Sequence, residues 1–159
     1  MARRRRIVHA TDFSAASRAA FAAAVDLARA GEAELIICHV LAEFAPPVIG
    51  GRLAPDAYAS VRAWERQDAS RRLAALVARA RRRGTRARSA LVEGLPSEGI
   101  CRVARAERAD VVVMGTHGHS WLGRLLLGSV AHRVLRTSAV PVLTVRPAQR
   151  SFRARRAAA

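Results

Sequence analysis

A β-branched run that ends in glycine, Val111-Val112-Val113-Met114-Gly115-Thr116-His117-Gly118, is followed after nine residues by Gly128-Ser129. These residue types at this spacing suit the binding of phosphate. An apolar strand that turns sharply at its carboxyl end leaves backbone N–H groups able to meet an anion. Gly118 and Gly128 let the main chain approach a ligand with no side chain between them. Ser129 falls where a new helical pattern begins, with Val130, Val134 and Leu135, so it can cap that helix and offer a hydroxyl to phosphate at its positive end. The plainer reading of Gly115, Gly118 and Gly128 is that each only makes a turn with positive φ. Their common spacing, closed by serine, favours phosphate.

Other side chains carry two readings each. Asp12 follows a strand and either accepts hydrogen bonds from a ligand or caps the helix that starts near Ser14. Arg124, between Gly118 and Gly128, either pairs with phosphate in bidentate fashion or points to solvent. His117 and His119 have no acidic or cysteine partner close in sequence, which favours loop histidines over a metal pair. His9 and His39 sit inside apolar strands and read as satisfied core residues. Trp121 either covers the glycine loop or packs.

The elements that must position these residues alternate along the chain. Residues 5 to 10 form an apolar run, and Ser14 caps an alanine-rich helix that Gly31 ends. A second strand, Leu35 to Val40, leads into a loop from Leu41 to Pro55 marked by Pro46-Pro47 and Gly50-Gly51. Helical periodicity covers 56 to 83, then a third strand runs from Arg86 to Val92. A helix with Ile100 and Val103 precedes the strand at 110 to 114, and a helix to about Arg136 precedes a last strand near 142 to 145. Strands that are apolar throughout, alternating with helices, predict an α/β fold: a parallel sheet covered on both faces.

The spacing G-x-x-G-x9-G-S resembles the nucleotide-binding signature of the universal stress protein family. Ile7-Val8-His9-Ala10-Thr11-Asp12-Phe13-Ser14 looks like that family's first strand and loop, and Ser138-Ala139-Val140-Pro141-Val142-Leu143-Thr144-Val145 like its last strand. The resemblance spans residues 5 to 147 or so. It implies a single-domain, open, parallel five-stranded sheet of order 3-2-1-4-5, the adenine nucleotide alpha hydrolase-like arrangement. It also implies an ATP site. Ala10, Thr11 and Asp12 would lie at the end of strand one, the Val40 backbone would contact adenine, and Met114, Gly115, Thr116, His117, Gly118, Arg124, Gly128, Ser129 and Val130 would surround the phosphates. A divalent ion, Mg2+ or Mn2+, would bridge those phosphates. Homodimers through Val142 to Val145 are implied as well, since that strand would otherwise expose an apolar edge. Ala10 stands where proline is common in the family, and Thr116 where serine is frequent. Neither change removes a backbone donor. One branch of the family lacks the glycines, which this chain retains.

At 159 residues the chain is the size of one domain. Residues 1 to 147 form the family domain, and 148 to 159 a basic, flexible tail. Cys38 and Cys101 match no metal or redox spacing and fit a reducing compartment. The first apolar run is too short for a signal peptide or a membrane span, which predicts a cytoplasmic protein. The net charge of +16 would suggest a polyanion partner. Every basic residue is arginine, however, and the chain lacks lysine and asparagine altogether, which points to coding bias as a competing cause. The arginines between 62 and 83 read as a solvated helix face. Without lysine there is no Walker loop, and Ala10-Thr11-Asp12-Phe13 replaces the glycines of a dinucleotide fold. A nucleophile elbow is missing too. With no general base in view, any ATPase activity is expected to be slow. The leading expectation is an ATP-binding regulatory homodimer acting in stress. The alternatives are a nucleotide-independent interaction module for an unknown protein partner and a weak, salt-sensitive polyanion binder rather than a specific nucleic-acid binder.

Overall fold

A computed structural model describes residues 4–43, 48–49, 52–53, 55–116 and 128–146. The elements run β1 (Arg6–Ala10), α1 (Ala15–Ala30), β2 (Glu34–Leu41), β3 (Val48–Ile49), β4 (Arg52–Leu53), α2 (Pro55–Arg82), β5 (Ala87–Glu93), α3 (Pro96–Ala106), β6 (Val111–Gly115), α4 (Ser129–Thr137) and β7 (Val142–Val145). Five strands form one parallel sheet in the order β5-β2-β1-β6-β7. This is the expected 3-2-1-4-5 order. The segment expected as plain loop between Leu41 and Pro55 contains a two-residue antiparallel pair, β3 with β4, whose pairing the proline and glycine punctuation had masked.

Alternate residues along the strands feed two cores. Ile7, Leu35, Ile37 and Val113 pack with Phe21 and Val25 of α1 and Leu73 and Val77 of α2. Val8, Ile36, Cys38 and Val112 pack on the other face with Ile100 and Val103 of α3 and Val134 of α4. Strands buried on both faces must be apolar throughout, which is why no in-and-out pattern is visible in the sequence. α1 buries Ala16, Ser17, Ala20, Phe21, Ala24, Val25 and Ala28, a stripe of helical period, and Ser14 caps it by accepting from the Ser17 N–H. Cys38 is buried, and burial pushes its thiol up to about 12, which makes it an inert packing residue.

Most arginines between 62 and 83 are exposed, as a solvated face requires, and several also reach partners on other elements. Arg62 donates to the Ala42 carbonyl and pairs with Glu65 and Glu93, and Arg66 pairs with Glu93. Arg81 donates to the Ala87 carbonyl, Arg83 pairs with Asp26, and the Arg79 guanidinium lies over the Phe21 ring. Periodicity alone could not reveal these partners, because most lie on other elements.

His9 is fully buried in β1, with Nδ1 3.1 Å from the Val113 carbonyl oxygen and its ring against Phe21. Its Nε2 has no hydrogen-bond partner. Burial pulls this imidazole down to about 4 from its ordinary 6.5. Between those values the unfolded chain binds a proton that the folded chain does not. Stability is therefore complete above about pH 6.5 and falls as the pH drops toward 4, by roughly 3 kcal/mol from this group. Urea denaturation of wild type across pH 4 to 7 should show that slope, and His9→Gln should flatten most of it; an unchanged slope in the variant would assign the acid sensitivity elsewhere.

Candidate ligand crevice at the carboxyl edge of the sheet

β1 lies between β2 and β6, and the chain leaves β1 toward one side of the sheet and β6 toward the other. The carboxyl ends of these strands therefore open around a topological switch point, the position where open α/β sheets bind ligands. Thr11 and Asp12 follow β1, Val40 is near the end of β2, and Gly115 and Thr116 close β6.

The loop after β1 is held by its own short polar side chains. Thr11 donates its amide to the Cys38 carbonyl at 2.9 Å, extending the sheet by one bond. Thr11 Oγ1 accepts from the Phe13 N–H at 3.0 Å and donates to Ser17 Oγ at 3.1 Å. Asp12 Oδ1 accepts from the Ser14 N–H at 3.0 Å, and Ser17 Oγ donates to the Ser14 carbonyl. Asp12 therefore shapes the loop that leads into α1, whose N-cap is Ser14. Ala10 is buried in β1 and Met114 in β6 against the α3–α4 core, so these two support the crevice wall.

Gly115 has a role that the sequence did not disclose. No positive φ occurs there. A Cβ built on it would stand 2.9 Å from the Ala16 carbonyl carbon and 3.1 Å from Ala16 Cβ. The glycine is needed so that α1 can lie against the end of β6, rather than to make a turn. The Val40 side chain is likewise fixed, pressed toward Gly99 in the first turn of α3, where an added Cβ would come within 2.8 Å of both Val40 methyls. That side chain faces the core, so any ligand contact by Val40 must use its backbone.

On the phosphate side, Thr116 donates its amide to the Val145 carbonyl, and the Thr116 carbonyl accepts from the Gly128 N–H at 2.6 Å. That bond brings the start of α4 to the end of β6. Gly128, and not Ser129, is the N-cap, at φ −68° and ψ 155°; Ser129 is the first helical residue, and no side chain caps the helix. The expected capping role of Ser129 is therefore corrected by one position. Val130 follows in the same uncapped turn, and neither α1 nor α4 has an acidic residue in its first turn. The start of α4 thus faces this edge with neither a side-chain cap nor a carboxylate in its first turn, a setting that attracts anions, whereas α1 is capped by Ser14 with Asp12 beside it. His117, Gly118 and Arg124 lie outside the described residues, as do His119 and Trp121. Among the described residues no group of three or more His, Cys, Asp or Glu could hold a metal.

Phe13, Ser17 and His39 belong to this neighbourhood although sequence reasoning assigned none of them to it. Phe13 has φ 63°, its ring packs against His39 with centroids 4.5 Å apart and planes tilted by 37°, and the Arg72 guanidinium lies 5.4 Å from its centroid. His39 Nδ1 is 2.7 Å from the Thr11 carbonyl oxygen, and burial lowers the pKa of this imidazole below its ordinary value.

This architecture defines a doubly wound α/β domain with its crevice at the switch point. The sequence model of the universal stress protein family matches residues 3–146, and the chain belongs to that family. A universal stress protein of Methanocaldococcus jannaschii is 32% identical, with 89% of this chain and 82% of the relative aligned. A solved universal stress protein structure from Burkholderia pseudomallei is 32% identical and superimposes with a TM-score of 0.70 over 90% of this chain and 96% of its own. A universal stress protein crystallised in complex with cAMP is 29% identical, with a TM-score of 0.62 over 92% of this chain and 100% of its own.

Because Gly115 is set by the approach of α1, Gly115→Val should cost about 1–3 kcal/mol of stability through overpacking against Ala16. Urea denaturation measures this, and a wild-type midpoint would mean that the end of β6 has room to spare.

Proposed function

We propose that this universal stress protein binds ATP in the crevice and acts as a cytoplasmic, homodimeric regulator in a stress response. The observation that carries the reading is the Gly128 N–H to Thr116 carbonyl bond. It joins an uncapped helix start to the end of β6, beside the Thr11–Asp12 loop. A relative in complex with cAMP supports an adenine nucleotide as the ligand class. In this reading Asp12 and the Val40 backbone meet the adenosine end. Thr116, Gly128, Ser129 and Val130 meet the phosphates, together with His117, Gly118 and Arg124, and Mg2+ or Mn2+ accompanying the nucleotide would offset part of the phosphate charge. Occupancy then biases dimerisation or the binding of a protein partner. The domain spans 1–147, and the basic segment 148–159 follows it. No described helix is long and apolar enough to cross a membrane.

Dimerisation through β7 is favoured by its place at the sheet edge, with one neighbour only and Leu143 exposed. Unpaired edge strands are templates for pairing. Leu143→Glu is expected to convert a sedimenting dimer to monomer at micromolar concentration, and a wild type that remains monomeric there would remove β7 pairing from the proposal.

Calorimetric titration of nucleotide-free protein with Mg-ATP, GTP and tripolyphosphate in moderately high salt tests the site. One ATP per chain, bound more tightly than the other two, is expected. Equal weak binding of all three would reduce the site to arginine attraction for phosphate. Gly128 has backbone angles that any residue adopts. Gly128→Val should therefore stay folded and lose ATP; a folded variant with wild-type affinity sinks the assignment.

A further inference from the structure

The Thr11 carbonyl is the point where the β1–β2 ladder stops. The last bond runs from the Thr11 N–H to the Cys38 carbonyl. In a parallel ladder that continued by one step, the Thr11 carbonyl would accept from the N–H of Val40. The His39 imidazole takes that position instead, with Nδ1 2.7 Å from the Thr11 oxygen.

The imidazole is itself immobilised. Phe13 packs against it with ring centroids 4.5 Å apart and planes tilted by 37°, and Arg72 covers the Phe13 ring from α2. A bulky residue at φ 63° is an outlier that its surroundings must hold in place. Here the holding contacts are the Thr11 Oγ1 bond to the Phe13 N–H, the imidazole and the guanidinium. Half-burial keeps His39 in its neutral form at physiological pH, so Nδ1 must carry the single proton in order to donate to a carbonyl.

We propose that His39 is a positioning residue for adenine recognition: by donating Nδ1–H to the Thr11 carbonyl it ends the β1–β2 ladder, directs the Val40 N–H to the ligand and fixes the peptide that presents Asp12. This rests on the nucleotide reading above and adds to it the device that separates two adjacent strands at the crevice. His39 touches neither base nor phosphate. Its effect belongs to the adenosine end of the ligand.

The test compares His39→Leu, His39→Asn and His39→Gln with wild type by calorimetry, using ATP and tripolyphosphate, after thermal melts have established that each is folded. The Asn amide nitrogen stands where Nδ1 stands, whereas the Gln amide reaches the Nε2 position. His39→Leu is expected to weaken ATP by about tenfold or more and to leave tripolyphosphate unchanged. His39→Asn should recover most of the ATP affinity and His39→Gln should not. Should the Leu variant fail to fold, the Asn and Gln pair carries the comparison. In the ligand-free wild type, long-range 15N NMR should show a neutral imidazole protonated on Nδ1. Wild-type ATP affinity in folded His39→Leu, equal loss of ATP and tripolyphosphate, equal affinities of Asn and Gln, or an Nε2-protonated ring would each overturn the inference. A wild type that does not bind ATP at all would instead overturn the nucleotide reading on which it rests.

Discussion

Along both of its edges β1 is hydrogen-bonded, to β2 over Arg6–Ala10 and to β6 over Ile7–Ala10. A central strand so enclosed can lead to polar chemistry only at its ends. The chain beyond Ala10 must turn out of the sheet immediately, and Thr11, Asp12, Phe13 and Ser14 perform that turn with hydrogen bonds among themselves and to Ser17. α1 then begins so close to the sheet that the end of β6 tolerates only glycine opposite Ala16. The crevice is a consequence of this crowding. Small residues bring the backbones together, and short polar side chains satisfy the backbone groups freed by the turn.

Ion pairs tie the elements together at both ends of the sheet. At the amino end Arg88 binds Glu34 and Glu107, Arg6 reaches the same two acids, and the Arg6 amide donates to Asp110 at 2.7 Å. Arg88 holds the Glu107 carboxyl below the ordinary carboxylate range. These partly exposed pairs are screened and contribute modestly to stability, but they link β1, β2 and β5 to the turn after α3. A cavity of about 140 Å3 lined by Cys101, Arg105, Arg108 and Ser138 also lies toward this end, since α3 runs opposite to the strands. At the carboxyl end Glu93, the last residue of β5, pairs with Arg62 and Arg66, while the ends of β1 and β6 carry the Thr11–Asp12 loop and the start of α4, whose aligned backbone dipoles favour an anion.

Helix spans and strand identities were legible because continuous apolar runs alternate with helical periodicity, and the sheet order only because the motif at each end of the chain resembles one family. Legibility failed where a residue answers to something distant in sequence. Gly115 reads as a turn glycine when only its neighbours are visible, since Ala16 lies on an element nearly a hundred positions away. Ser129 satisfied every local rule for a cap, yet the Thr116 carbonyl draws the Gly128 amide at 2.6 Å and shifts the helix start by one residue. His9 and His39 look alike in sequence, each in an apolar strand. Both set Nδ1 against a backbone carbonyl, but His9 does so inside the sheet, at Val113 of β6, with its ring on Phe21 and Nε2 unpartnered, whereas His39 does so at Thr11, just past the end of β1. Strand alternation places both on the α1–α2 face, but only the register separates a core histidine from one at the crevice.

That separation bears on what kind of function the fold supports. A catalytic site needs a group whose protonation can change near the reacting atoms. Of the two strand histidines, His9 is sealed in the core and driven neutral, while His39 commits its nitrogen to a backbone carbonyl. Asp12 is engaged in shaping its loop. Side chains with their hydrogen bonds spent on the local backbone hold the geometry of the loop. The same commitments give the crevice a mechanical connection to α2 through Arg72 and Phe13, and to α1 through Ser14 and Ser17. A ligand that pulls on the Thr11–Asp12 peptide therefore acts on two helices that cover the same face of the sheet. Such a coupling can convert occupancy into a change of surface only if the ligand favours one arrangement of those helices over another, which makes the differential fit at this peptide the quantity that would decide whether nucleotide binding signals anything.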